Sequence, residues 1–407
     1  MNLSKESILA LVLAGGKGER LHPLTLERTK PSVPFGGKYR IVDFALSNFV
    51  NSGIYSIYVL VQYKSQSLIE HIRTTWQREG VSSRHFITVV PPQMRREDIR
   101  EWYRGTADSV YQNINLIYDF KPQFVAIFGG DHIYRMDIGQ MIDFHIKNKA
   151  HATVSVTPVK SEEAVNFGIV NTDSSRRINA FKEKPHLSDA KTVLASMGNY
   201  IFNADIIIEA LEDVASKTTT HDFGKDIIPY LVRKKARVFA YDFSTNRIPS
   251  LKKHEELSYW RDVGTIQSYW QANMDILGVE PRLDLDNRMW PIYASHPDVP
   301  CAYSLDSLID NSLIGAGSKI YRSRIKNSIL GRGVCVNNGC CIENSIIMDY
   351  TVIGKNSQIK KTIIDRFNAI PRASKIGHDK KIDRRKYFLD DSGITVVKRG
   401  SRKSYDY

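Results

Sequence analysis

A cluster of glycines and basic residues follows a short apolar run near the start of the chain. The run (residues 8–14, ILALVLA) ends at GGKGER. The residues that could contact an anion there are Gly15, Gly16, Lys17, Gly18 and Arg20. Closely spaced glycines expose backbone N–H groups, and the Arg20 guanidinium can form paired hydrogen bonds with phosphate oxygens. The segment therefore predicts a nucleotide phosphate cradle, with an ordinary strand-to-loop turn as the alternative.

Two better-known phosphate motifs do not fit this segment. A P-loop requires GxxxxGK followed by Ser or Thr, which GGKGERL lacks. A dinucleotide-binding fingerprint requires a third glycine at the start of a helix, whereas Pro23 interrupts the segment here. The predicted cradle is therefore of another kind.

An aspartate at the end of a predicted strand is the first candidate metal ligand. Asp131 lies in GGDHIY, after the apolar run at residues 124–128. Its carboxylate is a hard oxygen ligand of the kind that Mg²⁺ prefers, and such a ligand could hold the metal beside the phosphates of a nucleotide in the predicted cradle. A turn or helix-capping aspartate is the alternative.

Alternating strands and helices would position these residues. The predicted strands are residues 8–14, 57–62, 86–91, 124–128, 153–158 and 199–202, and the predicted helices are residues 65–76 and a segment with Val110, Ile114 and Ile117 on one face. This order indicates an α/β fold with a doubly wound, mostly parallel sheet. Ligands of such sheets bind beyond the carboxyl ends of the strands, which is where Gly15–Gly18, Gln62 and Asp131 fall.

The last third of the chain has a different pattern. Residues 278–300 contain four prolines and no clear period, which is typical of a linker. Beyond them an aliphatic residue recurs about every six positions, with Gly or Asn at the turns, which predicts a β-helix. The predicted division is a catalytic domain at residues 1–277, a linker at 278–300, and a β-helix domain with a basic tail at 301–407.

The N-terminal motifs resemble those of a known enzyme family. LAGGKGERLHPLT followed by Lys30-Pro31 is similar to the sugar-phosphate nucleotidyltransferase superfamily. FGGKYRIVDFALSN followed by NSGI resembles, more narrowly, the ADP-glucose pyrophosphorylases (glucose-1-phosphate adenylyltransferases) of bacterial glycogen synthesis, and the match extends over nearly the whole chain. The resemblance implies a Rossmann-like nucleotidyltransferase domain, a C-terminal left-handed β-helix, and AMP transfer from ATP to glucose 1-phosphate with Mg²⁺.

The resemblance also implies a role for each matching residue. The catalytic residues would be Arg20, Lys30 and Asp131. The ATP-binding residues would be Gly15, Gly16, Lys17, Gly18, Arg20, Lys30, Gln62, Gly105 and Thr106. The glucose 1-phosphate residues would be Tyr103, Gly168, Glu183, Lys184 and Ser196, and the Mg²⁺ ligands would be Asp131 and Asp262. The segment HDFGKDIIP is another match, but we assign it no chemistry and interpret Asp222 as a helix cap.

Two positions depart from the family pattern. Lys17 stands where many members have arginine, which loses the planar hydrogen-bonding fork. Glu27 stands where members activated by fructose 1,6-bisphosphate carry an effector-site lysine. We therefore expect a small anionic allosteric effector but a weak response to that compound. The resemblance further implies a homotetramer.

Composition limits the remaining possibilities. The net charge is +13, and residues 366–407 contain twelve Lys or Arg and five Asp or Glu, so seven of the excess positive charges lie in the tail. Basic runs at residues 380–386 and 398–403 lack interleaved aromatics, so we predict an anionic-effector surface or a solvated face rather than nucleic-acid binding. No apolar stretch approaches the roughly 20 residues of a membrane helix, and we expect a cytoplasmic protein. The four cysteines have no metal-like spacing and are predicted to be free thiols.

Three other functions stay open at this point. One is a nucleotidyltransferase that uses UTP, GTP or dTTP. Another is a non-catalytic regulatory subunit, which would be expected to have lost its site residues. The third is an acyltransferase or scaffold function of the β-helix, which would need a histidine within the coils, whereas His378 lies beyond the last predicted coil.

Overall fold

A nine-stranded mixed sheet forms the centre of the N-terminal part of the chain. The computed structural model of the 407-residue chain describes residues 7–76, 84–92, 102–187, 192–215, 217, 220–294 and 299–401. The strands of this part are β1 (Ile8–Leu13), β2 (Pro34–Phe35), β3 (Tyr39–Arg40), β4 (Ser56–Leu60), β5 (Phe86–Val90), β6 (Phe124–Gly129), β7 (His132–Tyr134), β8 (Ala152–Lys160), β9 (Gly168–Thr172), β10 (Ile178–Glu183), β11 (Thr192–Asn203), β12 (Val238–Asp242) and β13 (Trp260–Asp262). The helices are α1 (Ile41–Asn51), α2 (Gln66–Thr75), α3 (Thr106–Tyr111), α4 (Asn115–Phe120), α5 (Ile138–Lys147), α6 (Ala204–Ala215), α7 (Ile228–Arg233) and α8 (Ile266–Met274).

The sheet is parallel at its centre, as its sequence predicts. Strand β1 pairs in parallel with β4 and β6, and β4 pairs in parallel with β5. Both faces of β1 are covered: Ala10 and Val12 pack in one apolar core and Leu9 and Leu11 in another. This two-sided burial explains the unbroken apolar run. Antiparallel pairing of β11 with β6, β8 and β9 extends the sheet on the other side, which makes it mixed but mostly parallel in its central part.

Two local predictions need correction. The segment that carries Val110, Ile114 and Ile117 forms two short helices, α3 and α4, rather than one. Between them the Asn113 side chain donates to the Ser109 carbonyl, a local bond that competes with regular helix geometry. The strand predicted at residues 199–202 is longer, because β11 begins at Thr192 and contains Ser196.

The predicted linker segment packs on the N-terminal part. In the described residues 278–294, Leu283, Trp290 and Ile292 are buried although they lie in no helix or strand. The Tyr293 N–H donates to the Ser47 hydroxyl of α1. Residues 295–298 of the predicted linker, like residues 402–403 of the second basic run, lie outside the described residues.

Short parallel strands stacked in three sheets form the C-terminal part. One sheet contains β14 (Tyr303–Leu305), β17 (Lys319–Tyr321), β20 (Cys335–Val336), β23 (Val352–Ile353) and β26 (Ala369–Ile370). The second contains β15 (Leu308–Asp310), β18 (Arg324–Lys326), β21 (Cys341–Glu343), β24 (Gln358–Lys360) and β27 (Lys375–Ile376). The third contains β16 (Leu313–Ile314), β19 (Ile329–Leu330), β22 (Ile346–Ile347), β25 (Thr362–Ile364), β29 (Thr395–Val397) and β28 (Phe388–Leu389), and the helix α9 (Lys380–Lys386) precedes β28. Isoleucine and valine side chains such as Ile325, Ile342 and Ile359 fill the interior. The predicted left-handed β-helix of hexapeptide repeats is confirmed.

One edge of the β-helix is packed against the N-terminal part. Ile329, Ile346, Ile363 and Val396 are stacked in register on successive coils of the third sheet. They share an apolar core with residues of the first fifty positions, among them Leu24. Beside this ladder the buried Arg28 guanidinium contacts both Asp365 carboxylate oxygens, at 2.6 and 2.5 Å. No helix in the described part of the chain has the length and apolar character needed to cross a bilayer.

Candidate active site

A cavity of about 1240 Å³ opens at the carboxyl ends of the central strands. All sixteen residues that the sequence analysis assigns to ATP, glucose 1-phosphate or magnesium line it. They come from segments up to 247 positions apart, between Gly15 and Asp262. The rule that ligands bind beyond the ends of parallel strands explains why these segments meet. Their individual roles remain predictions, whereas their common location is a property of the structure.

The glycine segment passes from β1 across the cavity edge. Gly18 has a φ of +62°, and a Cβ there would lie 3.0 Å from the Lys30 Cβ, so glycine suits both the backbone conformation and the close approach. The Thr25 hydroxyl donates to the Gly18 carbonyl at 2.8 Å and fixes the turn. Lys17 is largely exposed, with its ammonium 3.9 Å from Glu19. The segment therefore places the glycine main chain and the Lys17 ammonium at the rim of the cavity.

A two-stranded ladder brings the two predicted metal ligands together. Strands β7 and β13 pair antiparallel, with Asp262 opposite His132. This pairing places Asp262 beside Asp131, which directly precedes β7. The Lys30 ammonium lies between them, 3.0 Å from Asp131 Oδ2 and 2.5 Å from Asp262 Oδ1. Arg20 is further out, with Nη2 3.6 Å from Asp262 Oδ2.

These charges alter one another's protonation. Burial opposes the charged form of Lys30, but the carboxylates of Asp131 and Asp262 outweigh it and raise the pKa of the Lys30 ammonium. Burial would raise the pKa of Asp131, yet the charges of Lys30 and His132 lower it well below its usual range. Lys30 and Asp131 are therefore both charged at neutral pH.

The carboxylates suit a magnesium ion. One oxygen each of Asp131 and Asp262, together with a ring nitrogen of His132, lie within 4.8 Å of one another. The Asp131 side chain is 36% exposed to the cavity, so water or substrate oxygens could complete an octahedral shell. The two carboxylates are hard oxygen ligands of the kind that Mg²⁺ prefers, and Mg²⁺ does not require the His132 nitrogen beside them.

The predicted sugar-phosphate residues lie on another wall. Glu183 is the last residue of β10, opposite Gly168 of β9, where a Cβ would lie 2.7 Å from Glu183 Oε2. Burial, followed by the charge of Asp222, raises the pKa of the Glu183 carboxyl. The side chain of the neighbouring Lys184 is more than half exposed, with its ammonium 3.9 Å from Glu183 Oε1. This wall offers a hydrogen-bond acceptor beside a positive charge.

Three of the predicted ATP-binding residues, Gln62, Gly105 and Thr106, form a third wall that contacts the segment HDFGKD. A Cβ on Gly105 would lie 2.2 Å from the His221 carbonyl oxygen, so only glycine fits there. The Thr106 hydroxyl donates to Asp222 Oδ2 at 2.9 Å. Gln62, just beyond β4, donates to the Tyr103 carbonyl at 3.1 Å. These contacts fix the shape of a slot beside the phosphate cradle.

The sequence analysis missed several cavity residues. They include Trp102, His132, Phe167, Met197, Tyr200, Asp222 and Phe223. Asp222 is a helix cap as predicted, since Oδ1 accepts from Gly224 N and Lys225 N, but its second oxygen faces Thr106. The position of His132 directly after Asp131 was a usable signal, whereas the contact between Asp222 and Thr106 joins residues 116 positions apart and had none.

Comparisons with known proteins agree with this architecture. The nucleotidyl transferase family model matches residues 9–278, and the GlmU-like C-terminal hexapeptide model matches residues 303–397. A glucose-1-phosphate adenylyltransferase of Thermodesulfovibrio yellowstonii is 52% identical over 400 residues, which cover 97% of each chain. Proteins of the same name from Aliivibrio fischeri strain MJ11 and Photobacterium profundum are each 45% identical, over 98% of this chain and 99% of theirs.

Three findings thus indicate the same family. They are the two-part fold, the cavity that holds Lys30 with two aspartates, and the sequence identity over nearly the full length. The chain belongs to the glucose-1-phosphate adenylyltransferase family of nucleotidyltransferases.

Proposed function

We propose that the chain transfers the AMP group of ATP to α-D-glucose 1-phosphate, which gives ADP-glucose and pyrophosphate. This reaction forms the glucosyl donor for glycogen or a related α-glucan. It would take place in the cytoplasm. The observation that carries the proposal is that Lys30, Asp131 and Asp262 meet in a cavity whose walls also hold the glycine cradle and the Glu183–Lys184 pair.

The cradle side would bind the group that leaves. The backbone of Gly15–Gly18, the guanidinium of Arg20 and the ammonium of Lys30 would hold the β- and γ-phosphates of ATP. These groups are positively charged or donate hydrogen bonds, and both properties stabilise the negative charge of the pyrophosphate that leaves. Gln62 and the Gly105–Thr106 segment would contact adenine, so that the α-phosphorus faces the sugar side.

The other wall would bind the nucleophile. Lys184 would contact the phosphate of glucose 1-phosphate, and Glu183 would accept hydrogen bonds from sugar hydroxyls, with Tyr103, Gly168 and Ser196 completing the wall. A phosphate oxygen of the sugar would attack the α-phosphorus in line. No covalent intermediate with the protein is needed, so the contribution of the residues is orientation and charge stabilisation. A magnesium ion on Asp131 and Asp262 would offset the charge that develops on the phosphates.

Pyrophosphate release tests this proposal. Purified protein would be incubated with glucose 1-phosphate and Mg²⁺ and, separately, with ATP, UTP, GTP or dTTP. We expect release with ATP only. Preference for another nucleotide would keep the transferase chemistry and reject the adenylyltransferase. Absence of release with all four, in protein that is folded by circular dichroism, would reject catalysis and favour a regulatory subunit.

Regulation by a small anion is part of the proposal. A second cavity, of about 540 Å³, lies where the segment Pro23–Arg28 meets the tail near Arg399. Lys398 and Arg399 supply positive charge there, but Glu27 Oε2 lies 3.1 Å from Arg399 Nη1. Because Glu27 neutralises Arg399 and repels anions, we expect weak activation by fructose 1,6-bisphosphate. A strong response of the wild-type enzyme to that compound would contradict this.

Replacement of Glu27 provides the matched test. Glu27→Lys should gain activation by fructose 1,6-bisphosphate, while Glu27→Gln should show a smaller gain because it removes the negative charge without adding a positive one. Unchanged response in both variants would reject Glu27 as the cause.

We also propose a homotetramer, by analogy with the family. The first coil of the β-helix exposes Tyr303, Leu305, Leu308 and Leu313, an apolar surface suited to a subunit contact. Light scattering coupled to size-exclusion chromatography tests the mass, which is 46.4 kDa for one chain. A monomer at micromolar concentration would reject this assignment.

A further inference from the structure

The Lys30 ammonium lies between the two candidate magnesium ligands. Its ammonium is hydrogen-bonded to one oxygen of Asp131 and one of Asp262, at 3.0 and 2.5 Å. Magnesium binds carboxylate oxygens at about 2.0–2.1 Å and requires regular octahedral geometry. A metal and an ammonium therefore cannot both sit between these two oxygens.

We propose that Lys30 is a displaceable counter-ion, which neutralises Asp131 and Asp262 in the metal-free protein and leaves them when a divalent cation binds. The released ammonium then becomes available to the phosphates of the nucleotide. The inference rests on the proposed function, because it takes the two aspartates as the metal ligands.

The side chain of Lys30 suits such an exchange. The base of the side chain is fixed, because Lys30 begins the 3₁₀ turn Lys30–Ser32 and its Cβ packs closely on Gly18. Its far end is a compact point charge on a flexible four-carbon stem, which can turn from one anion to another. Lys30, Asp131 and Gly16 line the same cavity, so the carboxylates and the glycine cradle border the same space as this ammonium.

Arg20 is placed differently from Lys30. Its Nη2 lies 3.6 Å from Asp262 Oδ2, and its Nη1 donates to Asn166 Oδ1 at 3.3 Å. Its side chain is 56% exposed, so solvent weakens its attraction to the carboxylate. Arg20 thus does not occupy the space between the two aspartates, and Lys30 is the cation that competes with the metal.

The exchange couples metal and nucleotide binding. Without nucleotide, a metal must displace Lys30 from two carboxylates and leave a buried ammonium with no anionic partner, which is costly. With nucleotide, the phosphates provide that partner. By thermodynamic reciprocity, the metal then strengthens nucleotide binding by the same factor as the nucleotide strengthens metal binding.

Manganese binding in the absence of nucleotide tests the exchange. The free Mn²⁺ signal in electron paramagnetic resonance reports the affinity without any need for turnover. Lys30→Met should bind Mn²⁺ about tenfold or more tightly than the wild type, because a full positive charge in contact with the ligands is removed. Lys30→Arg keeps the charge and should bind no more tightly than the wild type. The gain should disappear in Lys30→Met/Asp262→Asn.

Lys64→Met is the matched control for charge in the cavity. The Lys64 ammonium lines the same cavity but lies 3.5 Å from the Thr25 carbonyl oxygen and 4.7 Å from the Tyr63 ring centre. Its removal should change the Mn²⁺ affinity by less than about twofold, because solvent screens a charge that does not contact the ligands. An equal gain in Lys64→Met and Lys30→Met would overturn the exchange in favour of a general charge effect.

Two further results would separate the inference from the proposed function. If Lys30→Met binds Mn²⁺ no more tightly than the wild type, the exchange is rejected while the metal site stands. Should Lys30→Met fail to fold, the wild type with ¹³Cε-labelled lysine gives the answer, since the Lys30 signal, identified by its loss in Lys30→Arg, must shift as Mg²⁺ is added. A signal that does not move at saturating Mg²⁺ rejects the exchange, and the nucleotide assay above judges the transferase independently.

Discussion

Two buried clusters of opposite charges have different roles in this molecule. In the cavity, a single lysine is shared by two aspartates, and the Asp131 side chain remains 36% exposed. At the contact with the β-helix, Arg28 faces Asp365, and their side chains are 1% and 2% exposed. The first cluster faces the large cavity and is partly open to solvent, whereas the Arg28–Asp365 pair is almost fully buried at the edge of the smaller second cavity.

The choice of cation follows this difference. Arginine has a rigid planar head that binds a carboxylate through a fixed geometry, and Arg28 Nη2 contacts both oxygens of Asp365 while Nε donates to the Leu24 carbonyl. Lysine carries a point charge that turns freely. Accessibility and the type of cation together therefore distinguish a charge cluster that can change partners from one that stabilises the fold. Variants in each cluster test this difference.

The largest effect should come from a cavity carboxylate. Asp131→Asn keeps the shape but removes the negative charge, so turnover should fall by about a thousandfold or more. The free energy of unfolding should change little, because the side chain is partly solvated and Lys30 retains Asp262. Steady-state kinetics and urea denaturation measure the two quantities. Unchanged turnover would remove Asp131 from the mechanism.

The structural cluster should show the opposite behaviour. Arg28→Met removes the guanidinium that contacts both oxygens of the buried Asp365, which then keeps only the Arg366 N–H and the nearby Arg366 charge. The free energy of unfolding should fall by about 3–5 kcal/mol. The double variant Arg28→Met/Asp365→Leu removes both charges and should recover most of that loss. Denaturation followed by fluorescence gives the values. If Arg28→Met is as stable as the wild type, the ion pair does not stabilise the fold.

A smaller effect is expected from Glu183 on the sugar wall. Burial and Asp222 raise the pKa of the Glu183 carboxyl, and below that pKa the protonated group loses acceptor strength. The KM for glucose 1-phosphate should therefore rise as the pH falls, and Asp222→Asn, which removes a charge but can still cap the helix, should move this rise to lower pH.

Glu183→Gln controls for the ionisation itself. Glutamine does not titrate, so the rise of KM at low pH that depends on Glu183 should be absent. KM should instead be about tenfold higher at every pH, because a charged hydrogen bond is lost. A pH profile of KM that Asp222→Asn leaves in place would show that Asp222 does not influence Glu183.

The smallest effect tests lysine against arginine at the cavity rim. Lys17→Arg supplies a planar fork beside the glycine cradle, so the KM for ATP should fall by about threefold, a modest amount because the side chain is solvated. Lys17→Gln serves as the control and should raise the KM. A rise with arginine would indicate that the space around Lys17 excludes the larger head group.

Local signals in the sequence predicted much of the fold. The run at residues 8–14 is apolar throughout because β1 is covered on both faces, and the hexapeptide period is repeated in every coil, so both could be recognised. The common location of Gly15, Gln62 and Asp131 followed from the strand-end rule.

Local sequence patterns could not predict the contacts between segments that are far apart in the chain. The three-residue strands β7 and β13 carry no pattern of their own, although their pairing is what joins Asp131 to Asp262. The position of Lys30 between the aspartates and the contact of Asp222 with Thr106 depend on tertiary packing in the same way. The ion pair of Arg28 with Asp365 links residues 337 positions apart, and the sequence analysis did not find it.

The stacked isoleucines of the β-helix do not by themselves determine which coil packs against the N-terminal part. Ile329, Ile346 and Ile363 present nearly the same side chain from one coil to the next, so the apolar ladder alone would accept a shift by a whole coil. Asp365 occurs on one coil only, and Arg28 can reach its carboxylate in a single alignment. The repeated isoleucines thus provide apolar contact but do not specify the alignment, and the buried ion pair of Arg28 with Asp365 specifies it. During evolution, coils could be gained or lost on the far side of Asp365 while the alignment with the catalytic part is preserved.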